Sequence, residues 1–198
     1  MRRDIELRRR TDIEGGPMQV RLRRAVIEDA PAIARVYVDT WRSAYRGLVP
    51  REYLLSLDYE EEARGCRQFL EGDVYPRMLQ VAEIGGEIIG YASAGPNDDE
   101  PKDYEAEVYE IFARGEYSGQ GVGTRLMQRA ADWCQSMGYS SVVIWCWKDN
   151  PFGGFYRSLG GKVVHTCTQS LAGTEYDVLV FGWQVEDLQR NLRLRLAR

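Results

Sequence analysis

Histidine is nearly absent from this chain: His165 is the single one. The four cysteines, Cys66, Cys134, Cys146 and Cys167, form no CxxC pair. Zinc takes its ligands from clustered His and Cys, so these residues are poor material for a metal site and none is expected. No run of about 18 apolar residues occurs, and no secretory signal segment. Their absence argues against a membrane partner and for a soluble, cytoplasmic chain with reduced thiols. A basic surplus is missing as well. The formal net charge is −4, and nucleic-acid binding needs a basic footprint, so nucleic acid is not expected as a partner. The Gly-Lys-Ser/Thr triplet of a Walker A loop is also lacking.

What is present fits an ordinary globular domain. The chain has 198 residues, enough for one core without staples. Residues 1–17 read as a charged leader ending in Gly15-Gly16-Pro17, residues 18–185 as the domain, and residues 186–198 as a basic tail. In that tail Leu188, Leu192 and Leu196 recur every four residues, which suits a short packed helix.

Period and punctuation predict the elements. Residues 20–25 alternate as a first strand. Glu28-Asp29-Ala30-Pro31 starts a helix, followed by helical stretches over 50–57 and 59–70. Strands over 79–84 and 87–94 flank Gly85-Gly86, a hairpin signal. A polar loop then leads to a strand over 106–113, a helix over 122–137 ended by Gly138, and an apolar strand over 141–147. A helix over 151–159 and strands over 162–167 and 176–183 close the pattern. The strand–helix–strand unit over 106–147 predicts a right-handed parallel crossover within a mixed α/β sheet.

Between that strand and its helix lies Ser118-Gly119-Gln120-Gly121-Val122-Gly123-Thr124. Glycines there let the backbone curl so that freed N–H groups converge at the positive end of a helix, which favours phosphate or pyrophosphate. A Rossmann fingerprint needs GxGxxG or GxGxxA, whereas counting from Gly119 or Gly121 reaches Thr124 or Leu126. The bland alternative is a tight turn of small residues.

Three blocks carry a resemblance. The first runs from Ala106 to Ala113 and on through Glu116-Tyr117-Ser118-Gly119-Gln120-Gly121-Val122-Gly123. The second is Asn150-Pro151-Phe152 with Phe155-Tyr156-Arg157-Ser158-Leu159-Gly160, and the third Thr40-Trp41-Arg42-Ser43-Ala44-Tyr45-Arg46-Gly47-Leu48-Val49-Pro50. In this order they resemble the GNAT superfamily of N-acetyltransferases over about residues 20–183. Ser118 stands where the family carries Arg or Gln. Gly153 and Gly161 stand where Ala and Phe are usual.

The resemblance implies a single domain with a mixed, mostly antiparallel twisted sheet, its central parallel strands splayed and flanked by helices. It implies direct acetyl transfer from acetyl-CoA to a primary amine. The pantetheine arm would follow the 106–113 strand, using the backbone of Phe112 and Ala113. The pyrophosphate would sit on Ser118, Gly119, Gln120, Gly121, Val122, Gly123 and Thr124, and Asn150 would bond a pantetheine amide or cap a helix. Tyr156 is expected as the acid that protonates the departing thiolate, and Glu107 as the base. Glu110 is expected on the opposite face, because strand side chains alternate. Trp41 and Tyr45 share a helical face and either cover the acceptor site or pack the core. Asp98, Asp99, Glu100, Asp103, Glu105, Glu107 and Glu110 either bias the acceptor end toward a small cationic amine or form a solvated loop. Two rival readings remain: a non-catalytic acetyl-CoA sensor, and an oxidoreductase that binds NAD on the glycine loop. A homodimer is left open.

Overall fold

The computed structural model describes residues 19–72 and 76–197. The expected leader over 1–17 lies outside them. The elements follow in chain order: β1 (Arg21–Arg24), α1 (Ala30–Ala44), α2 (Arg51–Ser56), α3 (Tyr59–Glu71), β2 (Met78–Ile84), β3 (Glu87–Pro96), β4 (Ala106–Ala113), α4 (Val122–Ser136), β5 (Ser141–Trp147), α5 (Gly153–Ser158), β6 (Lys162–Leu171), β7 (Thr174–Gln184) and α6 (Val185–Leu196). Local chemistry explains their starts. Asp58 Oδ1 accepts from the free N–H groups of Glu60 and Glu61 at 3.0 and 2.9 Å, capping α3. Gly121, at φ 80°, turns the chain into α4 through a region that L side chains rarely adopt. The helix expected over 151–159 is shorter, because Asn150, Pro151 and Phe152 form a turn before it.

The sheet has seven strands in the order β1-β2-β3-β4-β5-β7-β6. Every neighbouring pair is antiparallel except β4 and β5, which α4 connects as a parallel crossover. The mixed, mostly antiparallel sheet expected from the sequence is therefore present. Side chains alternate between two cores. Leu79, Val81 and Tyr91 meet Ile33 and Val36 of α1. Ala82, Ile89 and Ala92 meet Leu126, Met127 and Ala130 of α4. The C-terminal segment is helical, and Leu188 and Leu192 are fully buried in the α4-side core. Arg23 joins β1, β2 and the start of α1: it donates to both Asp29 oxygens at 2.6 and 2.8 Å and to Glu83 Oε2 at 2.8 Å. This bidentate contact holds the Asp29 carboxyl below its usual range.

Two irregularities position the site. First, β4 and β5 pair only at Ala106–Val142 and Glu107–Val143. Beyond these rungs the parallel strands part, and their backbone groups line a cleft rather than a ladder. Second, the β3–β4 register slips: Ser93 faces Glu110, whereas Ala94 faces Val108. Tyr109 is thus an extra residue on β4, a β-bulge.

The bulge corrects the expected sidedness. Val108 and Ile111, three apart, both pack on the α4-side core. Glu107 and Glu110, also three apart, consequently share the α1/α3 face rather than lying on opposite ones. Strict alternation fails because one extra residue inverts the parity of everything after it.

Candidate active site

The β4–β5 cleft has a volume of about 390 Å³. Ile111, Phe112 and Ala113 form one wall, with Ile144 and Trp145 opposite. Ser118, Gly119, Gly121, Val122, Gly123 and Thr124 close one end. Gly119 and Gly121 sit at φ 77° and 80°, with no atom within 4 Å of where a Cβ would stand. The loop is therefore curled for backbone reasons, not to relieve crowding, and its N–H groups lead into the positive end of α4. Gln120 is absent from the lining, and its side chain donates back to the Glu116 carbonyl at 3.1 Å.

Tyr156, Asn150 and Tyr45 also line this cleft. Asn150 is a joint. Its Oδ1 accepts from the Phe152 N–H at 2.8 Å, closing the turn before α5, and its Nδ2 donates to the Tyr45 hydroxyl at 2.8 Å. Tyr45 stacks on Trp41 with centroids 4.5 Å apart, so the shared helical face exists and belongs to an aromatic cluster with Trp147. Tyr156 is almost fully buried between Phe155, Phe181 and Trp183. Burial pushes its phenol well above the ordinary range, so it holds its proton. Thr40 lines the same cleft, and its Oγ1 is buried with no hydrogen-bond partner among the described residues. Such a hydroxyl is open to a hydrogen bond from water or from a ligand's polar group.

A second cavity of about 550 Å³ lies between α1, α3 and the sheet. Tyr37, Phe69, Tyr91 and Tyr109 surround it, and Glu62, Glu110 and Arg77 are its charged members. Tyr109 and Glu110 line both cavities. Glu110 is exposed only in part, and the Tyr91 hydroxyl donates to its Oε2 at 3.0 Å. Burial pushes its carboxyl up to about 7, against the lowering effect of the Tyr91 and Ser93 hydroxyls. Glu62 is also raised, by burial and then by Glu61 and Asp58.

The residues expected from the sequence separate accordingly. Phe112, Ala113, Ser118, Gly119, Gly121, Val122, Gly123, Thr124, Asn150 and Tyr156 come together at one cleft. Glu107 lines neither cavity: it sits on the paired β4–β5 rung, raised to about 7 by burial and by Asp99 and Asp98. The six acids from Asp98 to Glu107 line neither cavity, and of the seven acids between Asn97 and Glu110 only Glu110 reaches them. Arg195 lines the cleft without a signal in the sequence that announced it, and Thr40, Phe152 and Leu196 line it too, although the sequence blocks and leucine spacing that contain them assigned them no role. Only the leucine spacing of the last segment hinted that a helix would pack there.

Comparison with known proteins decides the family. The profile of the "Acetyltransferase (GNAT) family" matches residues 33–160. This chain belongs to the GNAT family. It is 32% identical over 165 residues to the uncharacterized N-acetyltransferase YuaI of Bacillus subtilis strain 168, covering 83% of this chain and 92% of that one. It is 28% identical over 131 residues to an uncharacterized N-acetyltransferase of Archaeoglobus fulgidus, covering 65% and 83%. Among solved structures, the PaiA N-acetyltransferase of Thermoplasma acidophilum in complex with coenzyme A superposes with a TM-score of 0.65 at 16% identity, covering 84% and 99%. The GNAT chain described here is thus an acetyl-CoA-dependent acyltransferase. No helix among its described residues is long and apolar enough to cross a membrane.

Proposed function

We propose that this GNAT enzyme transfers acetyl directly from acetyl-CoA, bound along the β4–β5 cleft, to a small cationic amine held in the α1/α3 cavity. The observation that carries this reading is that Glu110 lines both cavities. The fit to the cosubstrate rests on the parted β4 and β5 backbones, the curled 118–124 loop at the start of α4 and the orphaned Thr40 hydroxyl. Acetyl-CoA supplies an activated thioester.

The chain's own residues supply the rest. An amine attacks only when neutral, and a buried carboxyl raised to about 7 is well matched to take its proton near neutral pH. Glu110, rather than Glu107, is the base in this reading. Tyr156 donates its proton to the sulfur as negative charge develops there. Burial keeps the phenol protonated until that charge appears, and the same apolar setting makes the thiolate more basic. Asn150 orients Tyr45 and the α5 turn. Glu62 and Glu110 outnumber Arg77 in the acceptor cavity, and the rings of Tyr37, Phe69, Tyr91 and Tyr109 add faces that attract cations.

The test is calorimetric titration with acetyl-CoA, followed by a thiol-release assay over an amine panel at low and high salt. Alkylamines carrying a second positive charge should outperform acidic amino acids in kcat/KM, with an advantage that shrinks as salt rises. Faster turnover of acidic acceptors refutes the acceptor class. Tight binding without turnover on any amine favours a sensor instead.

A further inference from the structure

We infer that Arg195, near the end of the C-terminal helix, is a phosphate-binding cation of the cosubstrate site. The inference rests on the reading that acetyl-CoA occupies the β4–β5 cleft. Coenzyme A carries its charge on a pyrophosphate and a 3′-phosphate, so its cleft should offer compensating positive charge. The 118–124 loop supplies backbone N–H groups and a helix dipole, and at its head stands Ser118, which is neutral. Among the described residues that line the cleft, Arg195 is the one cation.

Its position is built, not incidental. The guanidinium lies 5.6 Å from the centroid of the Phe155 ring, and Nη1 donates to Ser158 Oγ at 2.5 Å. The same Phe155 ring comes within 3.7 Å of where a Gly123 Cβ would stand. One aromatic ring therefore separates Arg195 from the phosphate loop. The cation–π contact and the bond to Ser158 hold the guanidinium beside the ring and leave its other N–H donors free for the cleft.

The helix that carries it is anchored to the helix that carries the loop. Leu188 and Leu192 are fully buried in the α4-side core. Gln189 donates to Asp132 and Gln135 of α4 at 2.9 and 3.0 Å, and Asn191 donates to the Leu159 carbonyl at 3.0 Å. Arg195 itself is exposed, so its own contribution to folding is small and its guanidinium, held beside Phe155 and the loop, is available to a ligand.

The test is titration calorimetry of wild type, Arg195→Gln and Arg195→Lys with acetyl-CoA and with acetyl-dephospho-CoA. Melting temperatures without ligand, unchanged within about 2 °C, establish that the variants fold. Arg195→Gln should weaken acetyl-CoA binding roughly 10- to 100-fold, the range of one charge-assisted hydrogen bond, and should flatten its salt dependence. Arg195→Lys should recover part of the loss. An equal loss with both ligands assigns the contact to the pyrophosphate, and a loss confined to acetyl-CoA assigns it to the 3′-phosphate. Undiminished affinity of Arg195→Gln for both ligands overturns the inference while leaving the cosubstrate reading intact. Failure of the wild type to bind acetyl-CoA removes that reading, and the inference with it.

Discussion

Replacing Glu110 by Gln removes a buried charge, keeps the shape, and leaves an oxygen for the Tyr91 hydroxyl. The wild-type carboxyl is raised from 4.5 to about 7, chiefly by burial. At about 1.4 kcal/mol per pH unit this corresponds to roughly 3 kcal/mol as an upper figure. The direction follows from which state holds the proton more tightly. Here the folded state does, so the stabilising contribution is complete below 4.5 and is lost as pH rises through about 7. Above that pH the fold carries an ionised carboxylate that it would hold more easily neutral. Glu110→Gln should accordingly come close to the wild type at pH 4 and exceed it by up to about 3 kcal/mol at pH 8.5, measured by urea denaturation at both values. The same substitution removes the base. Wild-type kcat/KM should rise through an apparent pKa near 7, whereas the variant should be flat there and lower by about 10²- to 10⁴-fold. Glu107 is the control, because its carboxyl is raised to a similar value but lines neither cavity. Glu107→Gln should change the pH dependence of stability and leave the pH–rate profile in place. A Glu110→Gln enzyme that keeps the wild-type profile, or Glu107→Gln abolishing it, refutes the assignment of the base.

Three further outcomes are expected. Tyr156→Phe keeps the buried ring and removes the proton, so kcat should fall about 10²- to 10⁴-fold while acetyl-CoA affinity by calorimetry is held; unchanged turnover assigns the proton to water or another group. Gly121→Asp meets no atom within 4 Å but sits at φ 80° and adds a negative charge to the loop. Acetyl-CoA should therefore no longer raise its melting temperature, and a full ligand-induced rise sinks the phosphate-loop assignment. Leu192→Ala opens a cavity between α6 and the core and should cost about 2–5 kcal/mol in denaturant titration. A loss well under 1 kcal/mol means that the helix is dispensable to the fold.

Much of this protein is written locally. Apolar runs with β-branched residues, helical spacing and Gly punctuation lie within a few residues of one another, so the strands β4 and β5, the helix α4 and the glycine loop between them are legible in the chain itself. The cleft lining at Ser118, Gly119 and residues 121–124 follows from the same short-range signals, because backbone curling at Gly119 and Gly121 needs no distant partner.

Tertiary structure decided the rest. That Glu110 faces the α1/α3 side depends on the extra residue at Tyr109, a property of the β3–β4 pairing rather than of β4 alone, and Glu107 stays on the paired β4–β5 rung. Asp98 and Asp99 share a sequence neighbourhood with Glu110 but lie near Glu107 at the paired rung. Arg195 is distant in sequence from the loop it flanks, and only the packing of Leu188 and Leu192 against α4 brings it there. Periodicity reports which face of an element is apolar. It does not report what that face meets, because contacts between distant segments are selected by the whole core at once.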